Sequence, residues 1–96
     1  MATFRDIAVK SVFTACALLS QVITIEEGEE FTVSPPNAGS LTLIGAGIPD
    51  VEDFRQQLIT LLPAKVHVCV GGMPLTPNSK LQEIIDFVVS CFVQAA

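Results

Sequence analysis

Lys65-Val66-His67-Val68-Cys69-Val70 alternates β-branched valines with His67 and Cys69 at a period of two. Such alternation predicts a strand, with Val66, Val68 and Val70 on one face and His67 and Cys69 on the other. Pro63 closes the element before it, and Gly71-Gly72-Met73-Pro74 reads as the turn after it. Read as a strand between two helices, these six residues make the chain α+β.

Upstream, Asp50 follows Pro49 and can cap a helix over 51–62, with Asp53 at its third position. Val51, Phe54, Leu58, Leu61 and Leu62 make its apolar stripe. Ser40-Leu41-Thr42-Leu43-Ile44 predicts a further strand, ended by Gly45-Ala46-Gly47, and Pro35-Pro36-Asn37-Ala38-Gly39 a loop. Ile23-Thr24-Ile25 and Phe31-Thr32-Val33 alternate as the arms of a hairpin. Glu26-Glu27-Gly28-Glu29-Glu30 joins them, with Gly28 free to take φ > 0. Residues 3–20 read as a helix opened by a capping box of Thr3 and Asp6. Its broad face holds Phe4, Ile7, Ala8, Val12, Ala15, Cys16 and Leu19, while Val9, Phe13 and Leu18 fall outside it. A helix apolar on several sides is buried on more than one.

Downstream, Thr76 with Pro77 at the first helical position, or Ser79 with Gln82, opens a last helix that runs to about Val93. Leu81, Ile84, Ile85, Val88, Val89 and Phe92 form its stripe, and Phe87 and Cys91 read as a second patch. The expected fold class is a single α+β domain over residues 1–96, in the order α-β-β-β-α-β-α. A small, mainly antiparallel sheet carries the helices on one face.

Half of the 96 residues are apolar and 16% are charged, against about 25% charged in an average domain. A chain this short buries only about 60–68% of its unfolded surface, so it should be more polar than average. The surplus predicts apolar side chains left on the surface of a lone monomer, which mark a partner site when contiguous. The net charge is −5. No Lys or Arg occurs from residue 11 to 54, where Glu26, Glu27, Glu29, Glu30, Asp50, Glu52 and Asp53 stand. That field repels nucleic acid and anionic membranes. Residues 11–25 have the apolarity of a signal-peptide core, but Asp6 lies where a positive region belongs and no A-x-A site follows. No run reaches the roughly 18 apolar residues of a membrane span. Cys16, Cys69 and Cys91 have no CxxC spacing. They read as three core thiols of a reducing compartment, the cytoplasm, rather than as a disulfide or zinc framework.

Four constellations bear on chemistry. Gly45-Ala46-Gly47 before a helix start looks like a nucleotide loop, but Asp50 puts a carboxylate where a phosphate would sit. His67 and Cys69 have ligand-compatible spacing, yet zinc needs three or four ligands, so Cys16 or Cys91 would have to converge on them. The glutamates of the hairpin tip lack the spacing of a calcium loop. Finally, GIPDVEDFRQQLITLLP, from Gly47, and LTPNSKLQEIIDFV, ending at Val88, are similar to the second half of acyl carrier proteins. That resemblance covers about 40 residues and implies four helices and no sheet. It places the phosphopantetheine serine near Pro49-Asp50-Val51, where there is none, so no site is carried over.

These readings converge on a non-enzymatic interaction or assembly module with no cofactor, metal or catalytic residue. Its expected partner is itself or another protein chain, through an interface of Phe13, Phe87, Cys91 and Phe92. A single chain that covered all four unaided would remove the case for an assembly role. The alternative is a small-ligand binder or enzyme with His67, Cys69 and Asp50 around one pocket beside the Gly45–Gly47 turn.

Overall fold

The computed structural model describes residues 3–96. Four helices and one hairpin form a compact α+β domain, with a Cα radius of gyration of 12.3 Å. Helix α1 spans Phe4–Leu19. The Thr3 hydroxyl accepts from Asp6 N–H at 3.1 Å, and the Asp6 carboxylate accepts from Thr3 N–H at 3.1 Å. These bonds satisfy two of the donors that a helix start leaves unpaired.

The hairpin follows as β1, Thr24–Glu27, and β2, Phe31–Ser34. Thr24 pairs with Ser34, Ile25 with Val33, Glu26 with Thr32 and Glu27 with Phe31. Ile25, Phe31 and Val33 pack against the core, while Glu26, Glu27, Glu29 and Glu30 stay in solvent. Gly28 does not use its freedom; the positive φ of the described residues belongs to Gly47, at +82°. The Ser34–Pro35 peptide is cis, and a 3-10 turn, Ala38–Ser40, leads out of the loop.

The expected third strand is absent. Residues 41–44 make a short antiparallel clasp with 77–81 instead. Leu43 N–H donates to Ser79 C=O at 3.0 Å, Ile44 N–H to Pro77 C=O at 2.9 Å, and Leu81 N–H to Leu41 C=O at 2.9 Å. Only Thr42 and Lys80 meet as a bridge, because the chain turns at 43–47 before a ladder can extend. Thr76 and Pro77 accordingly do not open the last helix. Thr76 N–H donates to the Ser79 hydroxyl at 3.1 Å, which closes a turn ahead of the clasp.

Helix α2 spans Val51–Leu61, capped as expected: Asp50 accepts from Glu52 N–H at 3.0 Å and Asp53 N–H at 3.2 Å. Phe54, Leu58 and Leu62 are its buried line, at i, i+4 spacing, whereas Leu61 faces out. The fourth strand is also absent. Ala64–Val66 is a 3-10 turn and His67–Gly71 is helix α3. Val66 and Val70 are buried in the core and Val68 is 91% exposed. A spacing of four puts Val66 and Val70 on one face of a strand and equally on one face of a helix. Val68 alone distinguishes the two, and it points to water. Arg55 holds α3 against α2 by donating to Val70 C=O at 3.1 Å and Gly71 C=O at 2.9 Å. The guanidinium thereby shares Val70 C=O with Met73 N–H, 3.1 Å away, and reaches Gly71 C=O at the end of the short helix.

Helix α4 spans Leu81–Ala95. Its buried line is Leu81, Ile84, Ile85, Val88, Cys91 and Phe92. Cys91 belongs to that line, seven residues from Ile84 and three from Val88. Helix α1 is flanked by α2, α4 and β1, which is why so much of its circumference is apolar. The Phe4 and Phe92 rings stack at 5.2 Å, with the Lys65 ammonium 5.9 and 5.8 Å from their centroids.

Candidate functional site

Asp50, His67 and Cys69 do not meet. Asp50 stands at the start of α2, and its carboxylate is engaged by backbone N–H groups. His67 lies past the other end of that helix, where its Nε2 donates to Leu62 C=O at 2.7 Å. The eleven residues of α2 separate them by about 16 Å at 1.5 Å per residue. Cys69 is bonded to Cys91, with the two Cα atoms 5.7 Å apart, well within the window for a disulfide. The expectation of three separate core thiols is thereby corrected. Cysteine usage no longer points to a reducing compartment. As a strand, residues 65–70 would have aimed Cys69 beside His67; as a helix they turn it onto α4.

Cys16 is the free thiol, fully enclosed, and burial pushes its pKa up to about 12. Desolvation disfavours the thiolate, so it is neither a nucleophile nor a ready metal ligand. Among the described residues no three His, Cys, Asp or Glu side chains are grouped to hold a metal ion. No helix among them is long and apolar enough to cross a membrane.

The Gly45–Gly47 turn is closed by Ala46 N–H to Thr42 C=O at 2.9 Å and Gly47 N–H to Ile44 C=O at 3.1 Å. It is fastened to the end of α1. The Ser20 hydroxyl donates to Ala46 C=O and accepts from Val22 N–H at 3.0 Å. A Cβ on Gly47 would stand 2.7 Å from Ser20 Oγ and 3.1 Å from Val22 Cγ2. The turn therefore braces a helix end and presents no row of free N–H groups to a phosphate. Pro49-Asp50-Val51, at the start of α2, offers no hydroxyl for a carrier's prosthetic arm. A hairpin also accompanies the four helices.

The four side chains expected at an interface are mostly inside. Phe13, Cys91 and Phe92 are buried in the single chain, and Phe87 is half-buried against the core. The surplus of apolar surface lies elsewhere. At the end of α1 and the adjoining turn, Leu18 is 60%, Val22 49% and Ile44 57% exposed. A shallow hollow of about 610 Å³ there is lined by Ala17, Leu18, Leu19, Ser20, Val22 and Gly47, among others. Near the disulfide, Val68 is 91% and Val93 60% exposed. Val68 borders a hollow of about 360 Å³ with Lys65, Cys69, Cys91, Gln94 and Ala95. Leu18 was legible as a residue off the stripe of α1; Val68 required knowing that its segment is helical.

Fold and surface together define a small α+β domain with an internally bridged helix pair and no assembled reactive group among its described residues. Comparison with protein-family models, with curated proteins and with solved structures finds no match.

Proposed function

We propose that the chain is a non-enzymatic interaction module that associates with a second copy through apolar side chains its own fold leaves uncovered. The observation that carries this reading is Val68, almost fully exposed on a helix that a disulfide and Arg55 hold rigid. Val93, on the last turn of α4, adds a second uncovered side chain at that end of the molecule. A rigid element displays such side chains without an ordering cost on binding. Lys65 lies over the Phe4 and Phe92 rings at the edge of the hollow that Val68 borders, and its stem adds apolar surface there.

The test is the mass in solution by multi-angle light scattering across the micromolar range. The expected result is a mass above that of one chain, returned to one chain by Val68→Lys with Val93→Lys. Both positions are exposed, so the variants fold. A single-chain mass at every concentration would overturn self-association.

A further inference from the structure

The two ends of the Cys69–Cys91 bond differ in what surrounds them. Both residues bound the hollow of about 360 Å³ between α3 and the end of α4. Cys91 is 1% exposed and belongs to the buried line of α4, whereas Cys69 is half-buried. The exposed Gln94 side chain brings its carboxamide oxygen to 4.0 Å from Cys69 Sγ. Val68, the neighbour of Cys69, stands in water. Lys65, also exposed, bounds the same hollow, and no Asp or Glu side chain among the described residues does. A thiolate is the attacking species in disulfide exchange, and a nearby ammonium favours it. Helix α3 is fastened independently of the bond, by Arg55 to Val70 and Gly71 C=O and by His67 Nε2 to Leu62 C=O. The folded chain therefore displays one sulfur of the bridge to solvent and keeps the other in the core.

From this we infer that Cys69 is a thiol-exchange site on the folded chain, the sulfur at which a small-molecule thiolate opens the cross-link. The incoming sulfur bonds to Cys69 Sγ, the Cys69–Cys91 bond breaks, and its electron pair leaves with Cys91, which takes up a proton. A second small thiol then attacks the outer sulfur of the mixed disulfide. Cys69 is released as a thiol, together with a small-molecule disulfide. Two small thiols are oxidised and two cysteines reduced, and no other oxidant or reductant enters. Attack at Cys91 is blocked by the core around it. Burial also disfavours the Cys91 thiolate as leaving group. Displacement is therefore slower than at a fully exposed bond, but it does not wait for the chain to unfold. Exchange at Cys69 does not depend on self-association. A second copy seated on Val68 would cover the hollow, so the site belongs to the single chain.

The experiment follows reduction of the whole oxidised chain by dithiothreitol, at submicromolar chain concentration, with samples quenched in acid and read by intact mass. Attack on the folded chain exposes little new surface, so the rate is expected to change by less than about twofold between zero and about 1 M urea. Attack that waits for unfolding follows the unfolded population instead. That population rises about 5- to 13-fold per molar of urea at a slope of about 1–1.5 kcal/mol/M. A rate that rose by this factor, or no reduction without urea, would overturn the assignment. The sulfur attacked is identified in Cys91→Ala and Cys69→Ala, each treated in the folded state with a small aromatic disulfide. Cys69 in the first variant is expected to react at least about tenfold faster than Cys91 in the second, with Cys16 silent in both. Comparable rates, or a faster Cys91, would overturn it as well. The wild-type urea dependence decides the matter even if one variant fails to fold.

Discussion

Reducing the Cys69–Cys91 bond is the most informative perturbation of this domain. The cross-link joins α3 to α4 across a sequence separation of 22 residues. Removing it returns loop entropy to the unfolded chain. For a loop of this length the term −2.1 − 1.5R ln n gives about 3.4 kcal/mol at room temperature. A domain of this size has in all about 5–14 kcal/mol, so the loss is a large fraction of the whole. The native contacts of both residues survive reduction, because Cys91 stays packed among Ile84, Val88 and Phe92 and Arg55 still holds the end of α3. The effect should therefore appear as lost stability, not as unfolding. The chain has no Trp or Tyr, so urea unfolding is followed by far-UV circular dichroism, with and without a phosphine reductant. With a slope of about 1–1.5 kcal/mol/M the midpoint should fall by roughly 2.3–3.4 M. Alkylation in urea supplies the covalent control: one adduct without reductant, at Cys16, and three with it. In the folded state Cys16 should not react, being enclosed with its thiol pKa raised to about 12. A midpoint shift below about 0.5 M, or three adducts without reductant, would refute the reasoning.

Gly47→Ala should cost at least about 1–2 kcal/mol from the left-handed backbone alone. More is expected from the clash with Ser20 Oγ, and Gly28→Ala should be near neutral, since nothing lies within 4 Å of the new methyl. Equal urea midpoints for the two variants would contradict the bracing role of the 43–47 turn. The Asp6 carboxyl is held below its usual pKa, first by the backbone N–H of Thr3 and then by the Thr3 side chain. A depressed carboxyl stabilises the fold above its unfolded pKa of about 4 and ceases to do so as pH falls through the lower folded value. Asp6→Asn should accordingly flatten the acid limb of stability against pH below about 4, and an unchanged limb would argue against the capping box.

Local rules read several elements straight from the residues. The Thr3–Asp6 box, the Asp50 cap, the stripes of α2 and α4 and the acidic hairpin depend on neighbours three or four residues away, so they were legible with only boundary errors. The Ser40–Ile44 and Lys65–Val70 segments were not. Each is short and apolar at alternate positions, and a strand has no stability of its own without a partner to pair with. For Ser40–Ile44 the available partner was a five-residue clasp. For Lys65–Val70 there was none, so the backbone satisfied itself as a helix and spaced Val66 and Val70 by one turn. The candidate site inherited that error, since Val68 as a strand residue belongs in the core and as a helix residue is the most exposed large apolar side chain among the described residues.

By itself, then, the chain's composition and spacing settled that this is one small acidic domain with capped amphipathic helices, a hairpin and more apolar side chains than its charges balance. Only the tertiary structure decided which of those side chains are hidden, and that Cys69 faces Cys91. The reason is physical. Periodicity reports which residues share a face of one element, whereas burial and cross-linking depend on which other element arrives to cover that face, and a helix and a strand present the same six residues to different neighbours.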